Sequence, residues 1–132
     1  MGGLNAFLNP SEKLKIKEIT VSNRFKNEDG SLATIKIRQL SQIENDQLIK
    51  KCMKQSIEKG IPVERLDNLR YKDEFLIACI VEPNFRDPKF PQAMNCVDPI
   101  DAMKKCFTAA EYNKILSEAM DINDTELDSV KN

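Results

Sequence analysis

Two runs of alternating apolar and charged residues flank an Asp-Gly pair near the start of the chain, and they constrain the fold more than any other feature. The apolar positions of the first run are Leu14, Ile16, Ile19 and Val21. The second run spans 32–40 and interleaves basic residues with its apolar ones. A period of two predicts strands, and Asp29-Gly30 tolerates the positive φ of a tight turn. The pattern predicts a β-hairpin with one apolar and one basic face, and the phase shift after Ile16 predicts a bulge.

Helix signals follow this hairpin directly. Ser41 and Glu44 have the spacing of a capping box, apolar residues at helical spacing continue to Ile57, and Gly60 with Pro62 supplies a stop. A second helix is expected from a cap at Asn68 to Glu82, where Pro83 ends it. The apolar run 75–81 within it also suits a buried strand, although the length of the pattern favours a helix.

The C-terminal half predicts two more helices beyond an irregular, proline-rich stretch over 83–98. Asp98 is a candidate N-cap with Pro99 at the first helical position, and Thr108 with Glu111 forms a second capping box. We therefore predict an α+β fold in which the N-terminal β-hairpin packs on a bundle of about four helices. We expect a flexible N-terminal arm over 1–11, a single domain over 12–122 and an acidic C-terminal tail over 123–132.

The composition removes much of the chemistry on which enzymes rely. The chain has no His, which removes a general acid or base near neutral pH, and its four glycines form no phosphate-binding loop. The candidate catalytic carboxylate clusters, Asp73-Glu74 and Asp98 with Asp101, lie where helix starts attract acidic residues. We expect a protein that is not an enzyme and that binds no cofactor.

The cysteine spacing and the apolar runs are equally restrictive. Cys52, Cys79, Cys96 and Cys106 include no CxxC pair, so we expect no metal site, and we favour buried reduced thiols over two disulfides. The longest apolar run, 75–81, is far too short for a membrane span, and the N-terminus lacks the basic region of a signal peptide.

Charge is unevenly divided along the chain. Residues 1–66 carry 12 basic and 8 acidic side chains, a net charge of +4, whereas residues 67–132 carry 8 and 13, a net charge of −5. This polarity suits head-to-tail self-association or docking to a charged partner, but two solvated faces explain it as well. A total near zero, without aromatic residues among the basic ones, argues against nucleic-acid binding.

Several apolar residues have both a structural and a functional interpretation. The N-terminal arm is either a loosely held terminus or a hook that docks on a neighbouring subunit. Aromatic residues of the proline-rich stretch either pin that loop to the body or form a partner groove, and helical stripes over 100–107 and 112–119 are either core or interface. The candidate partner-binding residues are Leu4, Phe7, Leu8, Phe85, Phe90, Met103, Phe107, Tyr112, Ile115 and Leu116.

The order of short motifs along residues 4–123 resembles that of the XkdN-like phage tail assembly chaperones. The matching segments are 4–8, 21–25, the turn 28–30, 35–38, Leu40-Ser41, 78–87, 98–103, 110–116 and 121–123. The chain departs from the family at Ala110 and Asp124, where the family often has Gly.

The resemblance implies a non-catalytic role in building the tail of a contractile-tailed phage, a prophage or a phage-tail-like bacteriocin, in the cytoplasm of the bacterial host. Its implied partners are the long helical tape-measure protein, the tail tube protein and a frameshifted longer form of the chain, whereas self-association follows from the charge division described above. From the apolar runs and the charge of the sequence itself we expect no membrane partner and no nucleic-acid partner. A structural tail or baseplate component retained in the particle is the alternative.

Overall fold

A computed structural model describes residues 3–124 of the chain. The elements are α1 (Leu4–Leu8), β1 (Ile16–Thr20), β2 (Thr34–Arg38), α2 (Gln42–Cys52), β3 (Met53–Glu58), β4 (Ile61–Leu66), α3 (Asn68–Cys79), β5 (Ile80–Glu82), α4 (Lys89–Ala93), α5 (Pro99–Cys106) and α6 (Ala109–Asn123). The predicted α+β class is confirmed. Among these helices, none combines the length and the apolarity that crossing a membrane requires.

The predicted N-terminal hairpin is present, and it forms two strands of a three-stranded sheet ordered β1-β2-β5. β1 and β2 pair antiparallel without a register shift, from Ile16 opposite Arg38 to Thr20 opposite Thr34. The predicted bulge in the first strand is therefore wrong. The phase shift has another cause, because Ile16 lies on the face opposite to Ile19 and is exposed there.

The first long helix begins as predicted and ends earlier. The Ser41–Glu44 capping box is present at the start of α2, but the helix stops at Cys52 instead of continuing to Ile57. Residues beyond it form a second antiparallel hairpin, β3-β4, through a turn at Lys59-Gly60 in which both residues have positive φ. The prediction missed this hairpin because Ile57 lies four positions after Met53, a spacing that also fits a helix face.

The second helix is capped by Asp67 rather than by Asn68, which is its first residue. It ends at Cys79, so the prediction of a helix to Glu82 is wrong for its last three residues. These residues form β5, in which Ile80 pairs with Ile37 and Glu82 with Lys36 across a register irregularity. The apolar run is therefore helical first and extended afterwards, since the free edge of β2 offers backbone partners that a further helical turn lacks.

The two C-terminal helices begin where the caps predicted. Asp98 accepts a hydrogen bond from the Ile100 amide at α5, and Thr108 forms the predicted capping box at α6. The stretch predicted to be irregular contains the short helix α4. The predicted boundary before residue 123 falls inside α6, and the rest of the predicted acidic tail, 125–132, lies outside the described residues.

The core lies between the inner face of β1-β2 and helices α3, α5 and α6. Its fully buried large side chains are Ile37, Leu76, Cys79, Met103 and Ile115, and Cys52 on α2 is fully buried outside this cluster. All four cysteines are free; Cys52 and Cys79 are buried as expected, whereas Cys96 and Cys106 are only partly buried. Burial raises the pKa of the Cys79 thiol to about 11, which keeps it protonated and unreactive.

Candidate partner-binding surfaces

The N-terminal arm carries a short helix whose apolar side chains have no cover. Leu4, Phe7 and Leu8 share one face of α1 at helical spacing, and they are 66–83% exposed. None of the five residues of α1 is buried. We call this segment, Leu4–Leu8, the hook. Its three side chains were predicted as partner-binding residues, and the structure places them together on the surface.

The β3-β4 hairpin presents a second apolar surface that was not predicted. Its strands pair only with each other among the described residues. Opposite residues of an antiparallel pair lie on the same face, so one face has two apolar pairs separated by a polar one. The apolar pairs are Met53 with Leu66 and Ile57 with Pro62, and the polar pair is Gln55 with Glu64. We call these six residues the hairpin face.

The opposite side of this hairpin is more polar. Glu58 and Arg65 lie on it, joined by two hydrogen bonds of 2.9 and 2.7 Å from the guanidinium to the carboxylate. Ile61 is exposed on this same side, opposite Glu58. The hairpin therefore has a predominantly apolar face and a charged face, each with one well-exposed isoleucine.

A third surface is a groove between α3 and α6. It encloses a cavity of about 660 Å³ and has an apolar floor formed by Tyr71, Phe75, Leu116 and Met120. Tyr71 and Phe75 are stacked with their ring centroids 6.0 Å apart. Its rim is polar and includes Lys72, Asp121, Asn123 and Asp124. Leu116 is the only predicted partner-binding residue among those that line the groove in the described part of the chain.

The other predicted residues of α5 and α6 face inward. Met103 and Ile115 are fully buried, and Phe107 and Tyr112 are nearly so. They pack against the sheet and α3 as members of the core. Of the two interpretations of the helical stripes, the structure places these four side chains in the core, where they serve stability.

The aromatic residues of the proline-rich stretch pin it to the body of the protein. Phe85 and Phe90 are half-buried, with ring centroids 4.8 Å apart, and Phe85 meets Phe107 edge-on at 5.9 Å. Both pack against the core cluster. This arrangement fits the interpretation of a plugged loop and leaves the two rings only partly available to a partner.

The buried carboxylates are bound to basic and hydroxyl groups. Glu111 receives two hydrogen bonds from the Arg24 guanidinium, at 2.9 and 2.6 Å, and one of 2.5 Å from the Ser22 hydroxyl. The guanidinium holds the pKa of Glu111 well below its ordinary value. This contact ties the start of α6 to the segment after β1.

Asp73 on α3 has a similar structural role. It accepts hydrogen bonds from the Lys104 ammonium at 2.9 Å and from the Tyr112 hydroxyl, and thereby connects α3, α5 and α6. Burial and, after it, the bond to Asp73 raise the pKa of Tyr112. The acidic pair Asp73-Glu74 thus holds helices together, because Glu74 is likewise paired with Lys51 at 3.1 Å.

Sequence reasoning missed most of the groove and all of the hairpin face. The groove had a detectable signal, because Tyr71 with Phe75 and Leu116 with Met120 are both spaced by four residues on predicted helices. Neither pair alone shows that the two helices lie side by side. The hairpin face was hidden by the helical interpretation of residues 53–57.

Comparison with known proteins identifies the family. The family model described as Phage XkdN-like tail assembly chaperone protein, TAC, matches residues 4–131. The chain belongs to the XkdN-like family of phage tail assembly chaperones. The crystal structure of the protein yqbn resembles this tail assembly chaperone with a TM-score of 0.74 and 21% sequence identity, covering 92% of this chain and 96% of that chain. That likeness shows a shared fold. No curated protein matches the chain significantly.

Proposed function

We propose that this tail assembly chaperone binds the tape-measure protein of its own phage or prophage in the cytoplasm of the bacterial host, keeps it soluble and promotes assembly of the tail tube around it. The family-model match over residues 4–131 carries this proposal. The role needs binding surfaces and no reactive groups. It is supported by three exposed apolar surfaces: the hook, the hairpin face and the groove.

The hairpin face is the surface that we assign to the tape-measure protein. A two-stranded hairpin is at best marginally stable alone in water, and it is stabilised when something packs on its apolar face. The family resemblance implies a long helical client, and an apolar helix stripe packs well on the face of a sheet. Met53, Ile57, Pro62 and Leu66 extend along both strands and offer such a helix two apolar contact points.

The polar pair between these contact points suits a client that must later be released. Gln55 and Glu64 are joined by a hydrogen bond of 3.3 Å on an exposed surface, so they remain hydrated until a partner covers them. Covering them costs desolvation, which limits affinity. A chaperone that hands its client to the tail tube protein needs a contact of moderate strength.

Co-expression with the tape-measure protein encoded in the same gene cluster tests the proposal. We expect the soluble fraction of the tape-measure protein to rise and the two proteins to co-purify, and we expect a tail tube protein to displace or join the complex. A tape-measure protein whose solubility is unaffected and which does not co-purify would contradict the proposal. An unrelated soluble protein of similar size serves as the control for nonspecific effects of co-expression.

A structural tail or baseplate component retained in the particle is the alternative function. Mass spectrometry of purified particles separates the two, because a chaperone should be absent or far below the stoichiometry of the tube protein. Purification of this protein from host lysate, followed by mass spectrometry, tests for a frameshifted longer form. Peptides that join this chain to the product of the downstream reading frame would identify it.

A further inference from the structure

The hook and the groove are both uncovered in the same chain. The hook offers three large apolar side chains on one face of a short helix. The groove offers an apolar floor of two aromatic and two aliphatic side chains, with Met120 58% exposed. Removing apolar side chains from water lowers the free energy of the system, so packing the hook into a groove would stabilise both surfaces.

The segment that connects the hook to the body begins beside the groove. The backbone amide of Lys15 donates to the Gln39 side chain at 2.8 Å, and the Gln39 amide group donates to the Ile122 carbonyl at 2.9 Å. Ile122 is followed by Asn123, which lines the groove. Residues 9–14 connect this anchor to the hook, and an extended chain of that length spans about 20 Å. This reach allows the hook to leave its own domain and contact a neighbour.

The charges on the two surfaces are complementary. The connecting segment carries Lys13 and Lys15 against one acidic residue, Glu12, whereas Lys17 at the start of β1 is already paired with Glu118 at 2.5 Å. The groove rim carries Asp121 and Asp124 against one basic residue, Lys72. A basic segment that follows the hook into an acidic-rimmed groove gains favourable electrostatic steering. This complementarity gives a local basis to the opposite net charges of the two halves of the sequence.

We propose that the hook of one copy packs into the α3–α6 groove of a second copy, and that two copies exchange hooks reciprocally. The exchange is self-complementary, so it closes into a twofold-symmetric dimer with two equivalent contacts. A single hook buries less than the about 800 Å² per partner of a standard stable interface. Using two hooks and two grooves in one dimer brings the contact closer to that size.

The molecular mass of the full chain alone, measured over a wide range of protein concentrations, tests this proposal. We expect a concentration-dependent dimer in the wild type. Phe7→Ser in the hook and Met120→Asp in the groove should each raise the dissociation constant about tenfold or more, because each removes a large apolar contact from both interfaces. Val97→Ser, at a fully exposed site outside both surfaces, is the control that should leave the mass unchanged.

Mixing the two variants distinguishes the hook contact from a general loss of structure. The Phe7→Ser copy retains a sound groove and the Met120→Asp copy retains a sound hook. A mixture therefore keeps one intact contact per heterodimer, and it should associate more weakly than the wild type but more tightly than either variant alone. A monomeric wild type would overturn the proposal. So would a hook substitution that leaves the dissociation constant unchanged, or a mixture that associates no more tightly than the separate variants. A monomeric wild type is also the result expected if the chain's own hook fills the groove. Because the tape-measure protein is absent, these outcomes do not bear on client binding.

Discussion

Replacing Ile57 on the hairpin face by threonine should weaken binding of the tape-measure protein by about 5- to 30-fold. Ile57 is 76% exposed in the free chain. Complete burial of an isoleucine side chain is worth about 1.5–3 kcal/mol, so covering three quarters of it contributes about 1–2 kcal/mol to binding. Each 1.4 kcal/mol corresponds to about a tenfold change in affinity. Threonine retains the branched shape that strands favour, so the hairpin itself should persist.

The same substitution at Ile61 is the matched control. Ile61 is 63% exposed, lies in the same hairpin and faces the opposite side. We expect Ile61→Thr to change the dissociation constant less than about twofold, measured by calorimetry with a helical segment of the tape-measure protein. Equal losses in both variants would refute the assignment of the hairpin face. Unchanged affinity in Ile57→Thr would refute it as well, since circular dichroism can verify that both variants remain folded.

Three further predictions concern the stability of the fold. Met103→Ala should lower the free energy of unfolding by about 2–5 kcal/mol in denaturant titrations, because it leaves a cavity at a fully buried site. The hydrogen bonds that Arg38 donates to Glu44 lower the pKa of Glu44 to about 2. The contribution of this carboxylate to stability is therefore present above pH about 4.5 and is lost as the pH falls toward 2. The difference in unfolding free energy between the wild type and Glu44→Gln should shrink over that interval. In alkylation followed by mass spectrometry, Cys96, which is less buried than Cys79, should be modified first, and Cys79 should be modified only when the protein unfolds.

Signals that act within a few residues were the most reliable guide to this fold. The capping boxes at Ser41 and Thr108 and the cap at Asp98 placed three helix starts correctly. In each case a side-chain oxygen accepts from a backbone amide two or three residues ahead, so the sequence contains both partners. The β1-β2 hairpin was predictable for the same reason, because its turn and its alternation are local.

Features that depend on a distant partner were not predictable. Ile80 and Glu82 are extended because β2 has a free edge 43 to 46 positions earlier in the chain, as the pairs Ile37–Ile80 and Lys36–Glu82 show. Whether a residue of an apolar helix stripe lies in the core or on the surface also depends on which distant elements pack against the helix. Ile115 and Leu116 are adjacent in sequence, yet one is fully buried and the other lines a groove, because only one faces the sheet.

The proposed client surface and the proposed self-association surface occupy different elements, which has a consequence for how the protein would act on a long client. The hairpin face lies on β3-β4, whereas the hook and the groove belong to α1, α3 and α6. A dimer joined by exchanged hooks therefore keeps both hairpin faces free, and its two weak contacts with one continuous client act together. Linked contacts raise overall affinity through effective concentration without any single contact becoming strong. Moderate individual affinity and tight overall retention are then compatible, as long as release proceeds one hairpin face at a time.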